Sequence, residues 1–215
     1  MTRSGQALRL ALRDFYGNSW RLVPLNALLG AALVAVGVAT FAVHALLVLA
    51  VLAGPLAAAL AHCAVTLVRT GNLTLADALD GVRLHWRRGL QLAAAGTAFA
   101  VLVALAVPFY ATSPLGLPLM FLAIYVAVLL GVYQLVLWTL AVADPQRSLR
   151  QLVPAAAETL VRRPGATAAL TLVLLVVNLA GIAAAVMPFL TLTVAYSFVA
   201  IAHFALPREL EEESC

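Results

Sequence analysis

The chain has 215 residues, 64% of them hydrophobic and 10% charged, with a mean hydropathy of +1.04. Soluble globular domains carry roughly 45–50% apolar residues, so there is too little charge here to coat a water-facing surface. The net charge is +4, and all 13 basic residues are arginine.

Charge is confined to Met1–Arg21, Arg69–Arg88, Asp144–Arg163 and Arg208–Cys215. Between these intervals lie Leu22–Val68, Gly89–Ala143 and Pro164–Pro207, of 47, 55 and 44 residues, with no Asp, Glu, Lys or Arg. A membrane-crossing helix takes ~20 apolar residues, so each block holds two spans. The spacing predicts an all-α membrane protein of six transmembrane helices in three hairpins. The expected hairpin tips, near Thr40–His44, Tyr110–Pro118 and Gly181–Pro188, carry no arginine. Every arginine-bearing interval then faces one side, and the positive-inside rule makes that side of the cell membrane cytoplasmic. Both termini lie there. With the arginines used as topology anchors no basic surface remains for nucleic acid, and their expected partners are the lipid bilayer and its anionic headgroups.

In chain order, Ser4–Asn18 places Leu8, Ala11, Leu12 and Phe15 on one helical face with Arg9 and Arg13 on another, the pattern of a helix lying in the interface plane. The long polar lead and long apolar run read as a retained first span, not a cleaved signal peptide. Asn18-Ser19 offers a helix cap, and Trp20-Arg21 pairs an aromatic with a cation where such residues anchor a span. Span one is Leu22–Ala39, with Pro24 in its first turn and Asn26, Gly30, Leu33 and Gly37 on one face. Span two is Ala45–Val68, and Gly54-Pro55 predicts a kink or late helix start near Leu52–Pro55. Pro55, Ala59, His62 and Thr66 share a face.

The interval Arg69–Arg88, RTGNLTLADALDGVRLHWRR, reads as a second interfacial helix. Gly71-Asn72 marks a turn, Thr74 with Asp77 has capping-box spacing, and Leu75, Leu79, Val82 and Trp86 recur at helical spacing. Trp86, Arg87 and Arg88 anchor span three, Gly89–Val107. Pro108 and Pro114 bracket the next turn. Pro118 opens span four, Leu119–Val142, in which Ala127, Gly131, Gln134, Trp138 and Ala141 form a seven-residue repeat of small and polar side chains. Asp144-Pro145 restarts the chain, Ser148 with Gln151 has capping-box spacing, and a third interfacial helix, split by Pro154, leads to the anchors Arg162 and Arg163. Span five is Gly165–Ala184, with Thr171, Leu174, Asn178 and Gly181 aligned. Span six is Pro188–Leu206, with Thr193, Tyr196, Ala200 and His203 aligned. The tail 208–215 is short and acidic. Residues 1–207 thus form one membrane domain of hairpin units at about 1–68, 69–143 and 144–207, each preceded by a cytoplasmic interfacial amphipathic helix. An even number of spans per unit makes the copies parallel, with a pseudo-threefold axis along the membrane normal.

No G-x-S-x-G, H-E-x-x-H, P-loop or paired carboxylate occurs, and no Asp or Glu lies inside a span. A proton- or ion-coupled carrier usually has an intramembrane carboxylate. Cys63 and Cys215 give no disulfide framework. Neither a cofactor nor a metal site is expected: adjacent His62 and Cys63 point to different helix faces. The polar and aromatic residues at depth are His62, Gln134, Trp138, Asn178, Tyr196 and His203. They admit two readings. They converge on a pocket for a neutral, hydroxyl-rich solute, or each satisfies a polar group of a neighbouring helix.

The run Gly54-Pro55-Leu56-Ala57-Ala58-Ala59-Leu60, then Leu67-Val68-Arg69-Thr70-Gly71-Asn72, Asp77 and His85-Trp86-Arg87-Arg88, resembles the YesL-like family of small bacterial multi-pass membrane proteins. Thr70 interrupts the family's Arg-Gly pair and Asn72 replaces its acid; the likeness covers about Asp14–Leu92. The resemblance implies a plasma-membrane protein often encoded beside carbohydrate uptake genes, and brings no functional residues with it. High Ala and Arg without Lys is the composition of a GC-rich bacterial source. The resulting expectation is a non-enzymatic accessory or scaffold protein linked to carbohydrate uptake, with a membrane partner such as a transporter subunit. The alternative is a small neutral-solute carrier or channel.

Overall fold

The computed structural model describes residues 3–42, 44–112, 116–183 and 192–206. The turn at Pro114, the start of span six at Pro188 and the acidic tail lie outside the described residues. Those described form helix α1 (Arg3–Ala42), a 3-10 helix (His44–Ala53), α2 (Gly54–Thr70), α3 (Leu75–Ala111), α4 (Leu117–Ala143), α5 (Leu149–Val161), α6 (Pro164–Ala183) and α7 (Val194–Ala205). Among the described residues, five segments are long and apolar enough to cross a membrane: Gly5–Val36, Leu49–Thr70, Leu75–Ala111, Leu117–Ala143 and Pro164–Ala183. α7 is a shorter apolar helix of 12 residues. The protein is an all-helical, membrane-type chain.

The second span is composite, as Gly54-Pro55 predicts. The α-helix starts at Gly54 with Pro55 in its first turn, where the missing N–H costs nothing. It ends where Gly71 turns left-handed (φ 73°) and its N–H bonds Leu67 O at 2.9 Å. The Thr74–Asp77 capping box then starts α3. Thr74 N–H donates to Asp77 Oδ2 at 2.6 Å, and Asp77 N–H to Thr74 Oγ1 at 3.3 Å.

Two expected interfacial helices are corrected. Residues 4–18 are the first part of a single 40-residue helix. Asn18 and Ser19 do not cap a new helix: Asn18 Nδ2 donates back to Asp14 O and Ser19 Oγ to Tyr16 O, each at 3.1 Å. The reason for continuity is a buried stripe, Ala7, Ala11, Phe15, Asn18, Leu22, Asn26 and Leu29, that runs unbroken through the expected boundary. Pro24 therefore lies inside the helix and removes the i+4 donor of the Trp20 carbonyl.

Likewise, the stretch from Leu75 to Arg88 is the N-terminal part of the 37-residue α3. Its buried stripe is Gly81, His85, Gly89 and Leu92, and it packs on α2. The expected apolar face points outward, with Leu75 61%, Leu79 59% and Trp86 45% exposed. The third interfacial helix does stand apart, as α5. Pro154 does not split it, because the carbonyl it deprives, that of Arg150, belongs to an exposed residue. The break between α5 and α6 comes from Pro164. That proline has no N–H for the Leu160 carbonyl, and Thr167 Oγ1 donates to it instead, at 2.8 Å. The three units thus differ: the first two are continuous helices and the third is interrupted.

α2 and α3 meet at glycines. A Cβ on Gly54 would lie 2.5 Å from Gly89 O, one on Gly89 2.7 Å from Gly54 O, and one on Gly81 2.9 Å from both Ala59 Cα and His62 Cβ. Around this contact α2 and α7 are buried along most of their length, while Leu102, Leu105 and Phe109 of α3 and Phe121, Leu122 and Tyr125 of α4 are exposed. Large apolar side chains outside and small ones inside is the packing of helices in lipid.

This contact makes a sharp contrast testable. Gly54→Ala and Gly89→Ala should each destabilise by at least about 1–3 kcal/mol. Gly17→Ala, where an added Cβ meets nothing within 4 Å, should be neutral or stabilise by about 0.5–1 kcal/mol. Thermal unfolding of the three variants in one detergent gives the ranking.

Candidate functional site

The six residues singled out as a polar pocket take up separate positions. Gln134, on α4, donates from Nε2 to Leu92 O of α3 at 2.8 Å. Trp138, one turn on, is buried in the core. Asn178, on α6, donates from Nδ2 to Ser197 Oγ at 2.9 Å and to Leu174 O at 2.7 Å, and accepts from Thr193 Oγ1 at 3.0 Å. Ser197 completes that cluster by donating to Thr193 O at 2.7 Å. Tyr196 reaches from α7 to α1, donating to Leu8 O at 3.3 Å and meeting Phe15 edge-on with ring centroids 6.2 Å apart. His203, also on α7, pairs through Nε2 with Asp14 Oδ2 of α1 at 2.8 Å. His62, on α2, lies against the ring of His85 on α3, centroids 5.2 Å apart and planes tilted by 42°.

One cavity, of about 250 Å³, opens between α4, α6 and α7. Its walls are mostly apolar: Val128, Val132, Leu135, Leu174 and Val194, with Gly131 beside them. Asn178 alone of the six residues lines it, together with Ser197 and Thr171. Thr171 Oγ1 is buried and makes no hydrogen bond.

The expected lipid anchors have a second use. Arg88 donates to four carbonyls around the end of α4: Ala141 at 2.8 Å, Asp144 at 3.2 Å, Arg147 at 2.7 Å and Pro145. Arg69 donates to Ala143 O at 3.2 Å, and Arg21 to Leu73 O in the α2–α3 turn. Arg21 also lies over the Trp20 ring at 4.4 Å, and Arg87 over Trp86 at 5.1 Å. Arg162 binds Glu158 at 2.5 Å, and Arg163 is exposed.

Sequence reasoning aligned Thr193 with Tyr196 and His203 on span six, named His85 only within the family resemblance, and passed over Asp14 and Ser197. The signal for His85 was its place between Gly81 and Gly89 at i±4, a small-His-small row on the helix. Thr193 and Ser197 stand at i, i+4 on one face. Asp14 is the only acid in Met1–Arg21, and its pairing with a residue 189 positions away leaves no local trace. No family model, curated protein or solved structure matches the chain.

The two amides should respond differently to removal. Gln134→Leu loses one interhelical bond and should cost ~1 kcal/mol or less. Asn178→Leu removes the shared partner of Thr193 and Ser197, and should cost more, about 1–3 kcal/mol. Unfolding midpoints in detergent compare them; equal effects would mean that the Asn178 cluster is not cooperative.

Proposed function

We propose that the chain is a multi-pass protein of the cytoplasmic membrane that acts as an accessory or scaffold for a membrane partner. The observation that carries this reading is the use made of its polar groups. Gln134, Asn178, Tyr196 and His203 each bond another helix, so four of the six polar and aromatic residues singled out at depth fix helices against one another. The resemblance to the YesL-like family supports a bacterial membrane protein tied to carbohydrate uptake, with a transporter subunit as the partner. Mild-detergent purification should recover a stoichiometric membrane-protein partner. Recovery of the chain alone, combined with solute turnover in vesicles, would overturn the scaffold reading.

In this proposal α7 completes the sixth span, both termini are cytoplasmic and the outward arginines meet anionic headgroups. Arg9, Arg13, Arg83, Arg87 and Arg163 supply that positive charge on one side. In a background free of Cys63 and Cys215, single cysteines at Thr74 and Ser148 should resist an impermeant thiol reagent in intact cells, while one at Ser113 should label. Labelling at Thr74 with protection at Ser113 would invert the topology.

A second reading, a carrier for a small neutral solute, is favoured by the cavity beside Thr171 and Asn178. Filling it with Gly131→Leu should leave partner recovery intact under the scaffold reading and abolish uptake under the carrier reading. Uptake by whole cells, measured with partner recovery, separates the two.

A further inference from the structure

His62 and His85 are the one place among the described residues where two imidazoles face each other. They come from antiparallel helices and are fixed by backbone, because Gly81 leaves room for His62 where a Cβ would come within 2.9 Å of the His62 Cβ. His85 is 4% exposed and its Nδ1 is buried with no hydrogen-bond partner. A buried nitrogen without a partner is costly, and His85 Nδ1 is the imidazole nitrogen so placed among the described residues, beside the unpaired Asn26 Nδ2 and Thr171 Oγ1. His62 is only half-buried, so the pair is reached from the surface.

We propose that His62 and His85 form a two-histidine site for a borderline divalent metal ion, zinc first, at the α2–α3 crossing. Two imidazoles on one tetrahedral zinc, with Zn–N bonds of roughly 2.0–2.1 Å, have ring centroids on the order of 5 Å apart. The observed 5.2 Å meets that condition. Linear coordination, as for a monovalent soft ion, would push the rings further apart. The surrounding charge does not select a hard ion: Asp77 and Asp80 act on His62, where Arg69 offsets them, and Arg88 acts on His85. Imidazole donors therefore set the ligand class, and they suit zinc, copper and nickel over magnesium and calcium. No third His, Cys, Asp or Glu completes the set among the described residues. The remaining positions belong to water or an exogenous ligand, as in an open zinc site and unlike a closed structural one.

The test uses the full chain, purified in detergent through a tag without histidine and stripped of metal. Zinc should bind at one equivalent and raise the unfolding temperature, while magnesium and calcium should do neither. Cobalt(II) in its place should give the visible absorption of a tetrahedral site. His62→Gln and His85→Gln should each weaken zinc binding at least about tenfold and remove the cobalt spectrum. His203→Gln, at the α1–α7 contact, should leave both intact. If His85→Gln fails to fold, the half-buried His62→Gln decides. No bound zinc, or zinc affinity unaltered in His62→Gln, or an equal loss in His203→Gln, would overturn the proposal.

Discussion

Everything in this fold depends on how closely α2 and α3 approach. Lipid is as apolar as a leucine side chain, so burying leucine between helices gains little from the hydrophobic effect inside a bilayer. Dispersion contacts between backbones at short range take its place, and only glycine and alanine permit them. Gly54, Gly81 and Gly89 set that distance, with Ala58 and Ala59 between them. Once it is set, α3 is committed along its whole length. Its charged N-terminal part has to run beside α2, so Asp80, Arg83 and Arg87 face outward while Gly81 and His85 face in. The His62–His85 contact is a consequence of the same approach.

The arginines close the bundle at its charged end. Helix C-termini present carbonyls with no intrahelical donor and a partial negative charge. Arg88 meets two such carbonyls, Ala141 and Asp144, at the end of α4 and two more, Pro145 and Arg147, in the loop that follows, and Arg69 meets that of Ala143. A lysine ammonium is a point charge with three donors; the guanidinium fork has five fixed ones and spans several carbonyls at once. That geometry gives a physical reason for arginine at positions such as Arg88. It also divides the basic residues into two groups. Arg21, Arg69 and Arg88 hold helices together, while Arg87 and Arg163 point away from the bundle.

What was legible in the sequence was punctuation. Gly54-Pro55 located the start of α2, Gly71 its end, and Thr74 with Asp77 the start of α3. Local chemistry decides those features, so local reading found them. Continuity was misread. In α1 the expected face is largely buried through Ala11 and Phe15, with Leu12 exposed, and in α3 Leu75 and Leu79 are exposed; neither pattern showed that the helix runs on into the apolar block. The buried stripe of α3 up to Gly89 is a row of Gly81, His85 and Gly89, which carries little hydrophobic signal. Reading spacing for Ala, Gly and His would have joined residues 75–88 to the span that follows and brought His85 into view. Gln134 was legible because an amide in an apolar run has few places to go. Its particular partner, the Leu92 carbonyl, was not, since a backbone acceptor has no sequence signature.

The contact between α7 and α1 shows what polar residues do for such a bundle. α7, 12 residues long, is buried along most of its length. Apolar contacts alone would let a smooth helix slide or rotate, since each register buries similar surface. Asp14 with His203 and Leu8 O with Tyr196 OH fix both its height and its rotation against α1, and Asn178 fixes its other end against α6. Separating Asp14 from His203 leaves a half-buried carboxylate and a buried imidazole without the hydrogen bond they share, a loss that an apolar contact would not incur. Slippage of α7 is therefore far more costly than its apolar surface implies. Because Asp14 and His203 stand 189 residues apart, that one pair makes the register of the last helix depend on the placement of the first.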